Sequence, residues 1–340
     1  MKYCVIGAGG TGGCITAYMT RAGKNVDVIA RGEHLNQIRT KGIRLETTQK
    51  TEIISPIHAY EMDEYAERFA ETTEEQSEKG SAEKAGEQSE KRSAEISEEQ
   101  SADRPDVIFV CVKGYSLESV VPFIRNVSKK STIVIPILNL YGTGARLQKE
   151  LPELLVTDGC IYIAAQIKEP GTIWMNGTIF RIVYGVRDSD ELRRELFVVA
   201  EDLRMSGIEA VLSENIRRDA LQKFSYVSPM AAAGLYFNAN AARFQVTGDE
   251  RDTFAALVKE IDELAEAMGI SFQVDIVKNN LAILDALSPE ASTSMQRDIA
   301  AGKPSEIDGL IYEVLRLSKQ YQVKLPIYQK IAKEVECYRS

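Results

Sequence analysis

Six residues near the N-terminus have the types and spacing that bind a phosphate group. Gly7, Ala8, Gly9, Gly10, Thr11 and Gly12 form a G-x-G-x-x-G pattern between a β-prone run, Lys2–Gly7, and a helical run, Thr11–Gly23. The first glycine permits a tight turn, the second lets the backbone approach a pyrophosphate, and the third allows the helix to pack on the strand. The unpaired N–H groups at the helix start would face the anion. A glycine-rich turn without a ligand is the alternative.

A second strand, Asn25–Ala30, follows and ends at Arg31. Sites for NAD usually carry an acidic residue here, which accepts hydrogen bonds from the ribose hydroxyls. A guanidinium instead pairs with a 2′-phosphate through charge-assisted hydrogen bonds. The sequence therefore predicts NADP(H) as the cofactor, and an ordinary surface charge is the alternative interpretation of Arg31.

Hydride transfer from a nicotinamide to a carbonyl requires a proton donor for the oxygen that becomes an alkoxide. The chain has only two histidines, His34 and His58, and both lie early in the sequence, where a substrate donor is poorly placed. A lysine is the alternative donor, if burial or a neighbouring cation in a cleft lowers its pKa.

The elements that must position these groups alternate between strand and helix. After the first β-α-β unit we expect strands at Ile43–Glu46, Glu52–Ile54, Asp106–Val112 and Thr132–Leu138, and helices near Leu117–Arg125 and Asp190–Met205. Residues 154–184 are β-rich and predict antiparallel strands, with turns at Glu169–Pro170–Gly171 and Asn176–Gly177; the second turn is typical of a hairpin. A last strand is expected near Glu209–Leu212.

From about Ser213 onward every long segment has helical spacing. The predicted fold is α/β: a Rossmann-type dinucleotide-binding domain over residues 1–213, followed by an all-α C-terminal domain over residues 214–340 for the substrate and catalysis.

A low-complexity acidic segment, residues 62–104, interrupts the first domain. Within residues 63–104 there are 14 acidic and 6 basic side chains, and EQSEKGSAE (75–83) recurs as EQSEKRSAE (87–95). Because residues 71–104 contain no aromatic residue and only one large aliphatic residue, that stretch cannot bury a core. A solvated helix and a disordered loop are the expected states, and a docking arm for a partner is a further alternative.

The composition argues against several functions. The net charge of −9 is unsuited to binding nucleic acid, and no segment offers the run of about 18 uncharged apolar residues that a membrane-spanning helix needs. The 5 cysteines form no C-x-x-C pair, so neither a disulfide framework nor a metal site is predicted, and the cytoplasm is the expected location. The helical C-terminal domain offers surfaces for a homodimer.

Five segments carry a family resemblance: GAGGTGG (7–13), VIARGEHLNQIRTKGIRL (28–45), VCVKGYSLES (110–119), NIRRDALQKF (215–224) and SMQRDIAAGKPSEIDGL (294–310). With these motifs the chain resembles 2-dehydropantoate 2-reductases, also called ketopantoate reductases, over nearly all of its length outside residues 62–104. The resemblance implies NADPH-dependent reduction of 2-dehydropantoate to (R)-pantoate, a step toward pantothenate and coenzyme A. It also implies an active site in the cleft between the two domains.

The resemblance assigns roles to individual residues. Lys223 matches the catalytic lysine that supplies a proton to the ketone oxygen, and Glu306 matches the glutamate that binds the substrate hydroxyl and orients the lysine. Ser294 matches the serine that holds the substrate carboxylate, and Lys113 matches a lysine near the cofactor and substrate. The alternatives are a solvated lysine at Lys223, an exposed carboxylate at a helix start for Glu306, and an N-cap for Ser294 on a helix that begins at Met295.

The chain departs from the family at the lysine helix. The family carries asparagines four and eight residues after the lysine, whereas this chain has Val227 and Ala231. Ser228 or Tyr226 could replace one of the lost polar contacts.

The loop after the fifth strand also differs. The family sequence L-Q-N-G corresponds to Leu138-Asn139-Leu140-Tyr141-Gly142. Alignment on the glycine puts Tyr141 at the asparagine position, and Asn139 serves only if the loop shifts by two residues.

These departures leave three functions open. The first is 2-dehydropantoate reduction with altered contacts, and the second is reduction of another, more apolar 2-oxo acid by the same Lys223 and Glu306 chemistry. The third is a catalytically weak NADP(H)-binding sensor, or a protein that docks a partner through its acidic segment. Retention of Lys223, Ser294 and Glu306 favours an enzyme acting on a small-molecule 2-oxo acid.

Overall fold

The computed structural model describes residues 1–69 and 103–339, and these form two compact units. The sheet unit consists of Met1–Val112, Ser116–Ile137 and Gly144–Leu212. The helical unit consists of Lys113–Tyr115, Leu138–Thr143 and Ser213–Ser340. Two short segments that follow strands of the sheet unit are therefore grouped with the C-terminal helices.

The sheet unit is built on a six-stranded parallel sheet with the strand order β5-β2-β1-β6-β7-β8. These strands are β1 (Lys2–Ile6), β2 (Asn25–Ile29), β5 (His58–Tyr60), β6 (Val107–Val110), β7 (Ile133–Pro136) and β8 (Leu155–Val156). Almost every residue of β1, β6 and β7 is buried, as expected of parallel strands covered on both faces. The predicted Rossmann-type sheet is confirmed.

Five helices accompany this sheet in the chain: α1 (Gly10–Arg21), α2 (Gly32–Lys41), α3 (Met62–Glu67), α4 (Val121–Val127) and α5 (Thr143–Glu150). The predicted helix near residues 117–125 is instead a short 3₁₀ turn, Glu118–Val120, followed by α4. The second residue of α4 is Pro122, which lacks an N–H and is tolerated only in the first turn of a helix, so the regular helix begins there.

Two smaller sheets complete the sheet unit. The first has the order β10-β11-β3-β4 and consists of β3 (Ile43–Thr47), β4 (Thr51–Ile54), β10 (Ala165–Glu169) and β11 (Thr172–Met175). The second has the order β13-β12-β9 and consists of β9 (Asp158–Tyr162), β12 (Arg181–Gly185) and β13 (Glu209–Leu212), and α6 (Arg194–Met205) connects its last two strands. The predicted antiparallel pairing occurs between β10 and β11 and between β9 and β12.

The hairpin predicted at Asn176–Gly177 is wrong. Gly177 has a positive φ of 82°, as a turn requires, but the strands before and after it belong to different sheets. The observed hairpin joins β10 to β11 through Pro170 and Gly171. An Asn-Gly pair favours a local reversal of the chain, but it does not determine which strands pair afterwards.

The start of the acidic segment is part of the folded sheet unit, contrary to the expected interruption at residue 62. Helix α3 buries Tyr65 completely, and the Tyr65 hydroxyl donates a 2.9 Å hydrogen bond to Asp27 Oδ2. Arg68 pairs with Asp103 at 3.0 Å, and Arg104 donates to the Phe69 carbonyl at 3.2 Å. The two ends of the segment therefore meet, whereas its repeat at residues 75–95 lies outside the described residues.

The helical unit contains the helices α7 (Ile216–Tyr236), α8 (Ala241–Phe244), α9 (Asp249–Ala267), α10 (Ile276–Asp285), α11 (Ser294–Ala300), α12 (Glu313–Gln320) and α13 (Pro326–Glu334), together with a π-helical turn at Asp308–Tyr312. The predicted all-helical C-terminal region is confirmed. Helix α7 carries Lys223 and packs against α9 through buried residues of both helices. On α9, the buried Glu260 carboxylate accepts hydrogen bonds from the backbone N–H groups of Ile327 and Tyr328, at 2.7 and 2.9 Å, and so caps α13.

Candidate active site

The glycine-rich loop between β1 and α1 has the geometry that its sequence predicts. Gly7 has a φ of 99°, and its N–H donates a 3.0 Å hydrogen bond to the Ile29 carbonyl at the end of β2. A Cβ on Gly12 would lie 1.9 Å from the Gly7 oxygen, so no larger residue fits there without a shift of the backbone. A Cβ on Gly9, in contrast, would meet no atom within 4 Å. The loop is therefore tightly packed at Gly12, whereas Gly9 has free space beside it.

The first turn of α1 offers free backbone donors at this open place. Gly9 is the N-cap, no side chain within the described part of the chain caps the helix, and its first turn holds no acidic residue. Helix N-terminal N–H groups without a side-chain cap bind anions, and the positive end of the helix dipole adds to the attraction. The residues therefore fit the pyrophosphate of a dinucleotide.

Arg31 lies at the end of β2, as the N-cap residue of α2, with an exposed side chain. Within residues 1–69 and 103–339 its guanidinium makes no hydrogen bond and no ion pair. Its charge is thus available to a phosphate, although the same exposure fits an ordinary surface arginine.

In the helical unit, Lys113 lies between two carboxylates. Its Nζ is 2.8 Å from Asp298 Oδ2 and 3.2 Å from Glu306 Oε2. The other oxygen of Glu306 accepts a 3.0 Å hydrogen bond from the Gly114 N–H. Burial opposes the charge on Lys113, but Glu306 and Asp298 together hold the pKa of its ammonium above the usual value.

Glu306 is buried, with 7% of its surface exposed, so the alternative of a solvated carboxylate at a helix start is wrong. A buried carboxylate needs hydrogen-bond donors, and Lys113 and Gly114 supply them from a segment distant in sequence. The sequence near Glu306 gives no indication that Lys113 and Gly114 are its hydrogen-bond donors.

Lys223 projects from α7 toward the loop Leu138–Thr143, where its Nζ donates a 2.6 Å hydrogen bond to Asn139 Oδ1. The loop residue that supplies this amide oxygen is therefore Asn139. The Tyr141 ring instead lies 6.1 Å from the Phe224 ring, tilted by 38°. The loop is therefore held to α7 at two consecutive helix residues, and Lys223 is not a freely solvated lysine.

Leu140 lies between two glycines that flank this cluster. A Cβ on Gly114 would come within 2.2 Å of Leu140 Cδ1, and a Cβ on Gly309 within 2.7 Å of the same atom. The absence of side chains at these two positions leaves room for Leu140, and this fixes the path of the loop that carries Asn139.

Two sequence expectations for polar residues need correction. Ser228 is completely buried, and its hydroxyl bonds the Leu310 carbonyl at 2.5 Å and the Tyr328 hydroxyl at 2.7 Å, so it lies inside the helical packing, where a substrate contact is not expected. Ser294 is the first residue of α11 and not its N-cap. Thr293 caps that helix through a capping box with Gln296.

Sequence reasoning assigned no role to Asp298, which the structure places on Lys113. Its place in the pattern quoted for the family, four residues after Ser294 in SMQRD, was the available signal. The remaining predicted residue of this region, Ser294, is half-buried at the start of α11.

Two further features concern metals and membranes. Over the described residues, no group of three or more histidine, cysteine, aspartate or glutamate side chains is arranged to hold a metal ion. In the same part of the chain, no helix combines the length and the apolar character needed to cross a bilayer.

An α/β dinucleotide-binding fold followed by a helical unit that contains a positioned lysine, Lys223, and a buried carboxylate, Glu306, is a combination typical of a dehydrogenase or reductase. Family models agree: residues 3–189 match the model described as "Ketopantoate reductase PanE/ApbA", and residues 215–338 match its C-terminal counterpart. The chain belongs to this family and is an oxidoreductase that acts on the CH–OH/C=O pair.

Individual relatives are distant. "Uncharacterized oxidoreductase YkpB" of Bacillus subtilis (strain 168) is 21% identical over 100% of this chain and 99% of its own length. A 2-dehydropantoate 2-reductase of Mesorhizobium japonicum is 23% identical over 99% of this chain and 100% of its own length. The crystal structure of a PanE/ApbA family ketopantoate reductase from Ralstonia eutropha JMP134 matches with a TM-score of 0.80 at 21% identity, over 100% of this chain and 98% of that one.

Proposed function

We propose that the protein reduces 2-dehydropantoate to (R)-pantoate with NADPH. The observation that carries the proposal is the hydrogen bond between Lys223 Nζ and Asn139 Oδ1, which holds a lysine ammonium at a fixed place in the helical unit. The names of the family and of the Mesorhizobium japonicum relative support 2-dehydropantoate as the substrate.

Lys223 is the proton donor in this proposal. Its ammonium has three N–H groups, and the bond to Asn139 holds this ammonium at the place where it would donate to the ketone oxygen. As the carbonyl carbon is reduced, negative charge develops on this oxygen, and the lysine stabilises it and transfers a proton to it.

Glu306 and Ser294 bind the rest of the substrate. The buried Glu306 carboxylate is oriented by Gly114 N–H and Lys113, and it would accept a hydrogen bond from the substrate hydroxyl. The ammonium of Lys113 offsets the negative charge that Glu306 and the substrate carboxylate bring together. The Ser294 hydroxyl, at the start of α11, would donate to the substrate carboxylate.

NADPH, when bound, supplies the hydride that reduces the carbonyl carbon. The chain would hold the pyrophosphate with the backbone of Gly7 to Gly12 and the 2′-phosphate with Arg31. Lys113, which the sequence also assigned to the cofactor, acts in this proposal through Glu306.

The setting of the reaction is also proposed. The product would serve pantothenate and coenzyme A synthesis in the cytoplasm, and the protein would act as a homodimer on a small-molecule substrate. Size-exclusion chromatography with light scattering tests the dimer: a monomeric mass at micromolar concentration contradicts it.

The test of the reaction is the initial rate of NADPH oxidation by the purified protein, with 2-dehydropantoate and with a panel of linear, branched and aromatic 2-oxo acids. A kcat/KM for 2-dehydropantoate well above the others is the expected result. No oxidation with any acid, for protein that binds NADPH in a titration, would contradict the proposal.

A different, more apolar 2-oxo acid is the second candidate substrate. Tyr141 next to Phe224, and Val227 and Ala231 after Lys223, replace amide groups of the family by rings and aliphatic side chains. A site without those amides discriminates less against substrates that lack hydrogen-bonding groups. In the same panel, preference for an aromatic or aliphatic acid, reversed toward 2-dehydropantoate by Tyr141→Asn, would support this candidate.

A further inference from the structure

His34 connects two loops of the sheet unit. It lies in the first turn of α2, with its Nε2 2.8 Å from the Ala8 carbonyl oxygen in the glycine-rich loop. On the other side of the ring, the backbone N–H of Gly171, in the turn between β10 and β11, donates a 2.9 Å hydrogen bond to Nδ1.

These partners determine which nitrogen carries the proton. A backbone N–H can only donate, so Nδ1 must accept with its lone pair, and a carbonyl oxygen can only accept, so Nε2 must carry the hydrogen. The imidazole is therefore a neutral bridge with one donor and one acceptor, and both are used.

The bond to Ala8 fixes the orientation of one peptide unit. The Ala8–Gly9 bond is trans, and in a trans peptide the C=O and the following N–H point in opposite directions. With the Ala8 oxygen held on His34, the Gly9 N–H must point to the other side of the loop. A rotation of this unit would reverse it and present the carbonyl oxygen in place of the N–H, which repels an anion.

The turn that donates to His34 Nδ1 is itself packed against the helix that carries His34. The β10–β11 turn packs directly on α2, because a Cβ on Gly171 would lie 2.7 Å from Gln37 Cβ. The Gly171 N–H, which donates to Nδ1, thus belongs to a turn in direct contact with the helix that carries His34.

We propose that His34 is a positioning residue for the cofactor: it keeps the Gly9 N–H directed toward the dinucleotide pyrophosphate. This inference rests on the proposed function, in that Gly7 to Gly12 must be the pyrophosphate site. His34 itself touches the loop and not the ligand, so its effect is on cofactor affinity and not on proton transfer.

The test compares His34→Gln with His34→Leu. Glutamine offers one acceptor and one donor at a spacing similar to the ring nitrogens, whereas leucine offers neither. We expect His34→Leu to weaken NADPH binding about tenfold, the range of one lost hydrogen bond, and His34→Gln to restore most of the affinity. The kcat at saturating NADPH and the KM for the 2-oxo acid should stay near the wild-type values.

Adenosine 2′-monophosphate serves as the control ligand, since it carries the 2′-phosphate but no pyrophosphate. A positioning role predicts that His34→Leu leaves its affinity unchanged. Equal losses for both ligands, or NADPH affinity equal to the wild type in His34→Leu, would overturn the inference. Failure of the wild-type protein to bind NADPH would instead contradict the proposed function.

A third variant guards against misfolding of His34→Leu. His34→Asn places an oxygen near the position of Nδ1 and keeps an acceptor for Gly171, but it does not reach the Ala8 oxygen. Thermal unfolding without ligand should then be close to that of the wild type, while NADPH binding is weakened as in His34→Leu. Wild-type NADPH affinity in a folded His34→Asn protein would also overturn the inference.

Discussion

At the scale of single residues, the candidate site contains two lysines that differ in position and in the charge of their hydrogen-bond partners. Lys113 is held by two carboxylates, and its pKa is raised, so it remains protonated as a fixed positive charge. Lys223 is held by a neutral amide oxygen from Asn139. The Asn139 oxygen therefore holds the Lys223 ammonium in place without contributing a formal negative charge.

Lys223→Ala should therefore lower kcat by about 10²- to 10⁴-fold, the usual contribution of a positioned general acid. NADPH affinity should be nearly unchanged, because the cofactor is assigned to residues of the sheet unit. Stopped-flow rates and NADPH titrations measure the two effects, and Lys278→Ala, at an exposed lysine of α10, is the matched control. Turnover retained in Lys223→Ala would remove this lysine from the mechanism.

Arg31→Asp should weaken NADPH binding far more than NADH binding. The guanidinium that would pair with the 2′-phosphate is replaced by a carboxylate, which repels a phosphate but can accept hydrogen bonds from ribose hydroxyls. Parallel titrations with both cofactors measure the change. Equal losses for NADPH and NADH would show that Arg31 does not read the 2′-phosphate.

At the scale of the elements, the loop Leu138–Thr143 and the π-helical turn at Asp308–Tyr312 fit together through one side chain. Leu140 occupies the space that side chains on Gly114 and Gly309 would fill. This packing sets the position of Asn139, and thereby the position of the Lys223 ammonium.

Gly309→Ala should consequently displace Leu140 and lower kcat/KM. Adding Leu140→Ala makes room for the new methyl group, so the double variant should recover activity relative to Gly309→Ala alone. A double-mutant cycle on kcat/KM measures this coupling. Additive losses would show that the loop is not positioned by this contact.

Glu260 fastens α13 to α9. Glu260→Ala should lower the free energy of unfolding by about 1–3 kcal/mol, because it leaves the N–H groups of Ile327 and Tyr328 without their acceptor. Glu260→Gln retains an acceptor oxygen and should cost less. Urea denaturation of both variants gives the difference, and equal stabilities of the two would contradict the capping role.

The elements themselves were largely predictable, because the β-α-β unit, its glycines and the helical periodicity are local properties of the sequence. The predictions from the sequence were wrong where contacts between residues distant in sequence determine the structure. The partners of β11 and β12 are not encoded at Asn176–Gly177, and the burial of Glu306 depends on donors at Lys113 and Gly114. Alignment on Gly142 favoured Tyr141, whereas the packing of Leu140 brings Asn139 to the lysine.

At the scale of the whole molecule, the two ends of the acidic segment lie next to each other. Arg68 and Asp103 form an ion pair, and Arg104 bonds the Phe69 carbonyl. No residue of the candidate site lies between them in the sequence.

Replacement of residues 71–101 by a Gly-Ser linker of about six residues should therefore preserve the fold, NADPH binding and turnover. Thermal unfolding and the steady-state constants of the shortened protein, compared with the full chain, provide the measurement. Loss of turnover in a folded, shortened protein would assign the segment a role in catalysis.

The helical unit includes Lys113–Tyr115 and Leu138–Thr143, which the chain supplies from between strands of the sheet unit. A gene fragment that encodes only residues 214–340 would thus lack both Asn139 and Lys113. Exchange of C-terminal halves between distant family members would separate Lys223 from Asn139, and Glu306 from Lys113 and Gly114. The helical unit is therefore assembled from three separate stretches of the gene, and the hydrogen bonds of Lys223 and Glu306 join these stretches.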